Sequence, residues 1–256
     1  MLGRLFGKKE TKKSEKFILM LLLGSVETLN ISAVQQAMSE LFPTVACELE
    51  PDVNPLFGKV NGIQVMAAPM GVPIPTNEVH ECAQMCWQWK VSPGSTDHAD
   101  HMIAMAVSDA PIAEQMLACT QLAIAISQAH SVVAWYYGDA GIVVSPEFAR
   151  SAFDNPISKF PSQLWVAVIT STDGPGIYSL STIGMNKLGH REFEVVRTRS
   201  NEWLLRLYDF VNYVLEQGPV LKHGNTVGAD AHEKIRVEVG KSKLGKPGEV
   251  IRFVSD

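Results

Sequence analysis

A chain of 256 residues with 46% apolar and 19% charged side chains has the composition of a folded globular protein, which excludes a disordered or fibrous one. Its formal charge of −5 gives no general attraction to nucleic acid or to an anionic membrane surface, so neither is expected as a partner. Four cysteines are too few for a disulfide scaffold, and their apolar neighbours make them buried free thiols of a reducing cytoplasm.

Arg4, Lys8, Lys9, Lys12, Lys13 and Lys16 precede the apolar run Phe17–Gly24, which imitates an export signal. Glu10 and Glu15 interrupt the basic stretch, no Ala-x-Ala pattern follows, and the apolar run is too short to span a bilayer. The expectation is a flexible basic tail over 1–16 leading into a buried strand. Asn30 then caps a helix carrying Ile31, Val34, Met38, Leu41 and Phe42, closed by Pro43. A short strand over Val45–Leu49, a turn-rich loop over Pro51–Pro55 and a strand over 62–69 follow. Thr76 or Asn77 is expected to cap a helix reaching Trp89, and His101–Val107 is a strongly apolar strand. Asp109 and Pro111 are expected to open a helix that is apolar nearly all round and runs to Gln128. Val132–Tyr137 reads as a strand, Gly138–Gly141 as a turn, and Ser145-Pro146 as the cap of a short helix ending near Phe153.

The order through residue 107 is β-α-β-β-α-β, that of a ferredoxin-like unit. Asp154–Pro161 is the expected boundary, and 162–256 reads as ββ-α-ββ around the helix Ser200–Gly218. Ser200 is expected to cap that helix, and Gly218-Pro219 to end it. The fold class is therefore α+β. A ferredoxin-like unit with an added helix-strand extension (17–155) packs on a second unit (162–256).

Several features of the second unit occur in a fixed order: Tyr178–Gly184, Leu188-Gly189-His-Arg-Glu192-Phe-Glu194, the helix end Tyr213–Gly218, His223–Gly228 and Glu233–Val237. Together they resemble a bacterial family known only as a domain of unknown function, number 4261, over about the last 90 residues. The resemblance implies a fold unit and a bacterial origin. It implies no activity, because the family has none to carry over.

Candidate chemistry is sparse. Glu192 and Glu194, two apart in an extended segment, would share a face as an acid/base or cation-binding pair, although Arg191, Arg197 and Arg199 also fit a salt-bridged surface. His223 and Thr226 flank the glycine-rich turn Gly224–Gly228, which is not a phosphate loop. Thr172–Gly176 reads as a hairpin loop. His98 and His101, with Asp97 and Asp100, have the residue types of a metal site but not its spacing, and strand alternation would part the two rings. Cys82 and Cys86 share a helix face that His80 does not, so core packing explains them better than a metal. No nucleophile motif is present, and no cofactor is expected. Trp135, Tyr136 and Tyr137 at a strand end are the expected anchors for a protein partner.

The reading that follows is a non-enzymatic, protein-binding module of accessory or immunity type. The alternative is a small hydrolase or ligand-binding enzyme that uses Glu192, Glu194 and His223, with a metal at His98 and His101 as a further option.

Overall fold

The computed structural model describes residues 17–51, 54–154, 159–200, 202–228 and 233–255. The expected basic tail over 1–16 lies outside them, as does the middle of the expected boundary at 154–161, residues 155–158.

The chain is α+β with two sheets. The first sheet holds seven strands in the order β2-β3-β4-β5-β1-β6-β7, every neighbouring pair antiparallel. These are β1 (Phe17–Leu23), β2 (Cys47–Leu49), β3 (Leu56–Val60), β4 (Ile63–Pro69), β5 (Asp100–Val107), β6 (Val132–Tyr137) and β7 (Ile142–Val144). A ferredoxin-like path would set β4 beside β1, but here β5 lies between them and β6 flanks β1 on its other side. An unforeseen strand, β3, joins β2 and β4 into a meander. Asn61 and Gly62, with φ of 49° and 78°, form the two-residue turn between β3 and β4.

Helix α1 (Ile31–Leu41) starts as expected, with the Asn30 side chain accepting from the Ala33 amide at 3.0 Å. Helix α4 (Ile112–Ala129) is buried along most of its length. It packs with α1 over the face formed by Leu19, Leu21, Met102 and Ala104. Asp109 does not cap α4: it is exposed, and the start is tied instead by the Gln115 amide, which donates to the carbonyls of Ser108 and Ala110. The expected helix 76–89 is broken at Cys86 into α2 (Thr76–Met85) and α3 (Trp87–Val91), with Pro75 at the cap position of α2. Helix α5 (Pro146–Phe153) opens as read, the Ser145 hydroxyl accepting from Phe148 N at 3.1 Å.

Helix α2 lies on the opposite face from α1 and α4. It covers only the β1-β6-β7 half, where Leu22, Val79, Ala83, Tyr136 and Val143 form a small cluster of their own.

The second sheet has the order β11-β12-β13-β10-β9-β8. Its strands are β8 (Ala167–Thr172), β9 (Tyr178–Ile183), β10 (Phe193–Thr198), β11 (Thr226–Val227), β12 (Ile235–Lys241) and β13 (Glu249–Ser255). Three strands precede helix α6 (Trp203–Gln217), not two, and β10 pairs parallel with β13 across the α6 connection. Gly218, with φ of 80°, ends α6 as expected. Ser200 does not cap it, because its hydroxyl accepts from Glu202 N, before the first helical turn.

Helix α6 packs Trp203, Leu207, Val211 and Val214 against the sheet, and Phe210 stacks on Phe253 with ring centroids 4.3 Å apart. Buried apolar side chains from both sheets form one continuous cluster. Buried polar contacts cross it: Trp165 donates to the Thr120 hydroxyl at 3.0 Å and Trp87 to the Tyr208 hydroxyl at 3.1 Å. Among the described residues no helix is long and apolar enough to cross a membrane.

Candidate functional site

The glutamate pair is interior. Glu192, 7% exposed, accepts from the Thr182 hydroxyl at 2.7 Å and from the amides of Gly184 and Asn186 at 3.1 and 3.2 Å. Its carboxylate therefore fixes the 3-10 turn Met185–Leu188, and Gly184 opens that turn in a positive-φ conformation. Glu194, 0% exposed, takes Arg252 Nε at 2.7 Å, the Ser242 hydroxyl at 2.7 Å and the Lys243 amide at 3.1 Å. Arg252 also reaches Glu238 at 3.1 Å, and the register places Glu194, Arg252 and Glu238 side by side across β10, β13 and β12. Each carboxylate is filled by a separate set of the chain's own donors.

His223 is exposed, and its Nδ1 accepts from Val239 N at 3.2 Å. Thr226 is exposed on the short strand β11, opposite Arg236. The partners of His223 lie on β12, while those of Glu192 lie in 182–186, so the structure does not gather the three into one centre.

The two histidines of the first unit also have structural partners. His98 Nε2 accepts from Ile74 N at 2.9 Å, which makes Nδ1 the donor to the Thr96 carbonyl at 2.8 Å. His101 is buried, and its Nδ1 donates to the Val72 carbonyl at 2.6 Å. Both pin the connection 70–75. Among the described residues no three His, Cys, Asp or Glu side chains converge as a metal ion would need. Cys86 is a buried thiol on the Gly141 carbonyl at 3.1 Å, and burial pushes its pKa up. His80 is paired with Gln84 instead, at 2.8 Å.

The aromatic triplet is not a surface anchor. Trp135, Tyr136 and Tyr137 are all 3% exposed or less. Trp135 donates to the Ser127 hydroxyl at 2.9 Å, Tyr136 to Glu78 at 2.5 Å, and the Tyr137 ring lies 4.8 Å from Phe17. The physical reason is the position of β6. It is an inner strand with α4 and α5 on one face and α2 on the other, so successive side chains are buried in turn on opposite sides.

The structure exposes a different surface. Beyond α2, no helix among the described residues covers the same face of the first sheet. Phe57, Met66, Met105 and Ile18 lie in register across β3, β4, β5 and β1, with Phe57 39% and Ile18 38% exposed. The neighbouring row is Glu48, Lys59, Gln64 and Val107. Together with Leu49, Glu50 and Pro51 these rows, apart from Ile18, line a cleft of about 630 Å³. Its floor is apolar, and two carboxylates stand at the β2 end. The edge of β2 is closed: the Gln35 side chain donates to the Cys47 carbonyl at 3.4 Å and accepts from Leu49 N at 3.2 Å. That amide takes the place of a further strand.

One polar cluster was not anticipated. Glu27 accepts from the hydroxyls of Ser131 and Ser25 and from His130 Nδ1 at 2.9 Å, while His130 Nε2 accepts from Asn30 N. The Ser131 hydroxyl, followed by that of Ser25, holds the Glu27 carboxyl down to about 2. Both ring nitrogens of His130 are engaged, so the cluster ties the start of α1 to the end of α4.

Residues 181–254 match the model of a family described as Domain of unknown function (DUF4261), the family that the second unit resembles. The match starts within β9 and so covers less than the last 90 residues. No curated protein and no solved structure matches the chain.

Proposed function

We propose that the chain is a non-enzymatic docking module that takes an amphipathic helix of another protein on the open half of the first sheet. The observation that carries this reading is the in-register apolar row Phe57–Met66–Met105–Ile18, which no helix among the described residues covers beside α2. Four large apolar side chains side by side form the kind of patch that marks an interaction site, and the two methionines let the surface adapt to its occupant. Helix α2 supplies a precedent for the occupant, since it already fills the other half of the same face. The Gln35 amide on the β2 edge argues against an added strand. Glu48 and Glu50 against the single cation Lys59 leave the cleft net acidic, which with a formal charge of −5 favours a helix whose apolar stripe is flanked by lysine or arginine.

The hydrolase alternative would need Glu192 and Glu194 to give up three hydrogen-bond donors each. No observation favours it over docking.

The test is a fluorescence titration of the full chain with a labelled helical peptide. Its leucines recur at three- and four-residue spacing, and lysines flank them. Phe57→Asp and Met66→Asp should each weaken binding by tenfold or more without lowering the melting temperature, because neither side chain is buried. Glu48→Lys with Glu50→Lys should weaken it further at low salt. Binding indifferent to Phe57→Asp, or equal binding of a peptide with the same composition and scrambled periodicity, would refute the reading.

A further inference from the structure

A second cleft, of about 430 Å³, opens on the other sheet, between the 3-10 turn 185–188 and the end of α6. Its apolar lining includes the exposed Pro219 and the edges of Leu221 and Ile251, and its polar lining is Asn186, His190 and Arg191. All six lie within the stretch that matches the family model. Burial lowers the pKa of His190, so at neutral pH its ring is an uncharged hydrogen-bonding group. Arg191 is then the cation of the cleft. Its guanidinium is about half exposed and lies 3.1 Å from the Glu249 carboxylate, itself 59% exposed. An exposed pair of this kind holds its partners weakly and exchanges readily. Gly189, with φ of 80° and no atom within 4 Å of where a Cβ would stand, keeps the mouth open beside them.

We propose that this cleft binds a carboxylate carried on a short apolar tail, either a free acid or the C-terminal residue of a peptide. The carboxylate takes Arg191 in place of Glu249, which serves as an internal stand-in for the ligand. The tail lies on Pro219, Leu221 and Ile251, and His190 and Asn186 offer hydrogen bonds at the rim. Arginine suits this task because its planar fork matches a carboxylate in two parallel bonds. The proposal is independent of the docking face, with which the cleft shares no residue.

The experiment is an amide-resolved NMR titration of the full chain with valerate, with valeramide as the neutral isostere, and with acetyl-Ala-Ala-Leu bearing a free C-terminus. Valerate should shift the amides of residues 186–193, 214 and 251 and saturate, with valeramide at least tenfold weaker. Arg191→Gln should reduce valerate affinity at least tenfold. Glu249→Gln should raise it, because the internal competitor is gone, an outcome that a merely structural ion pair does not produce. Tighter binding of the peptide than of valerate assigns the carboxylate to a polypeptide terminus, and the reverse order assigns it to a free acid. The proposal is overturned by equal shifts with valerate and valeramide, by valerate affinity unchanged in Arg191→Gln, or by shifts confined to other parts of the chain.

Discussion

Arg252→Met tests whether the glutamates of β10 are structural. In the native chain Arg252 Nε and Nη2 both stand 2.7 Å from Glu194 Oε1, Nη1 stands 3.1 Å from Glu238, and Nη2 also donates to the Lys241 carbonyl at 2.8 Å. Methionine fills much of the same volume but leaves a fully buried carboxylate with only the Ser242 hydroxyl and the Lys243 amide. Removing one member of a buried ion pair costs about 3–5 kcal/mol, because the remaining charge loses both water and partner. For a chain of this size each kcal/mol moves the thermal midpoint by about 2–4 °C, so a fall of about 6–20 °C is expected. Urea unfolding at pH 7, followed by far-UV circular dichroism, reads the same loss as a lower midpoint at unchanged slope. Adding Glu194→Leu to Arg252→Met removes the stranded charge and should recover at least half of the loss. A cost below about 1 kcal/mol for the single variant, the range of an exposed pair, would refute the interior placement of Glu194.

Three further outcomes follow from the geometry. Gly184→Ala would set a Cβ 2.6 Å from the Trp165 carbonyl at a φ of 116°, so backbone strain and overpacking together should destabilise the chain by about 2–5 kcal/mol in urea melts. Trp135→Ala should lower stability by about 3–5 kcal/mol through the cavity and the lost Ser127 bond, and should affect peptide binding only as far as it unfolds the chain. Glu27 titrates at about 2 in the folded chain against an ordinary value of 4.5, so its contribution is fully present above pH 4.5 and is lost as pH falls toward 2. The stability difference between the native chain and Glu27→Gln should therefore shrink between pH 5 and pH 2.5, and a constant difference across that window would refute the assignment.

Local signals were legible where local physics decided the outcome. Helix α4 announced itself by being apolar nearly all round, and α5 by the Ser145-Pro146 start. Strand β3 escaped because Phe57 and Lys59 face outward and Gly58 has no side chain, which leaves little alternation to read. Its one clear signal was the Asn61-Gly62 pair, the preferred residues for a tight hairpin turn.

The sites were less legible because they depend on distant partners. Whether Glu194 is solvated or interior is decided by Ser242, Lys243 and Arg252, and the intervening chain runs through α6. Whether Trp135 and Tyr136 anchor a partner or fill a core is decided by α2 and α4 covering opposite faces of β6. The open face hides for the opposite reason. Met66, Met105 and Ile18 are apolar residues in apolar strands, and a continuous apolar run reads as burial on both sides. Only the strand order and the reach of α2 show that no helix among the described residues covers one half of that face.

The parallel pairing of β10 with β13 has a consequence for how the protein is made. β13 is an inner strand of the second sheet, seated between β12 and β10, and Val250, Ile251 and Phe253 are buried there. The sheet therefore cannot close before residues 249–255 have been synthesised, whereas the strands of the first sheet are all available by residue 144. Until then β10 and β12 each present an unpaired edge, and α6 has no Phe253 to stack on. A nascent chain stalled short of residue 249 would carry a complete first sheet joined to a half-built second one with two edges open to mispairing.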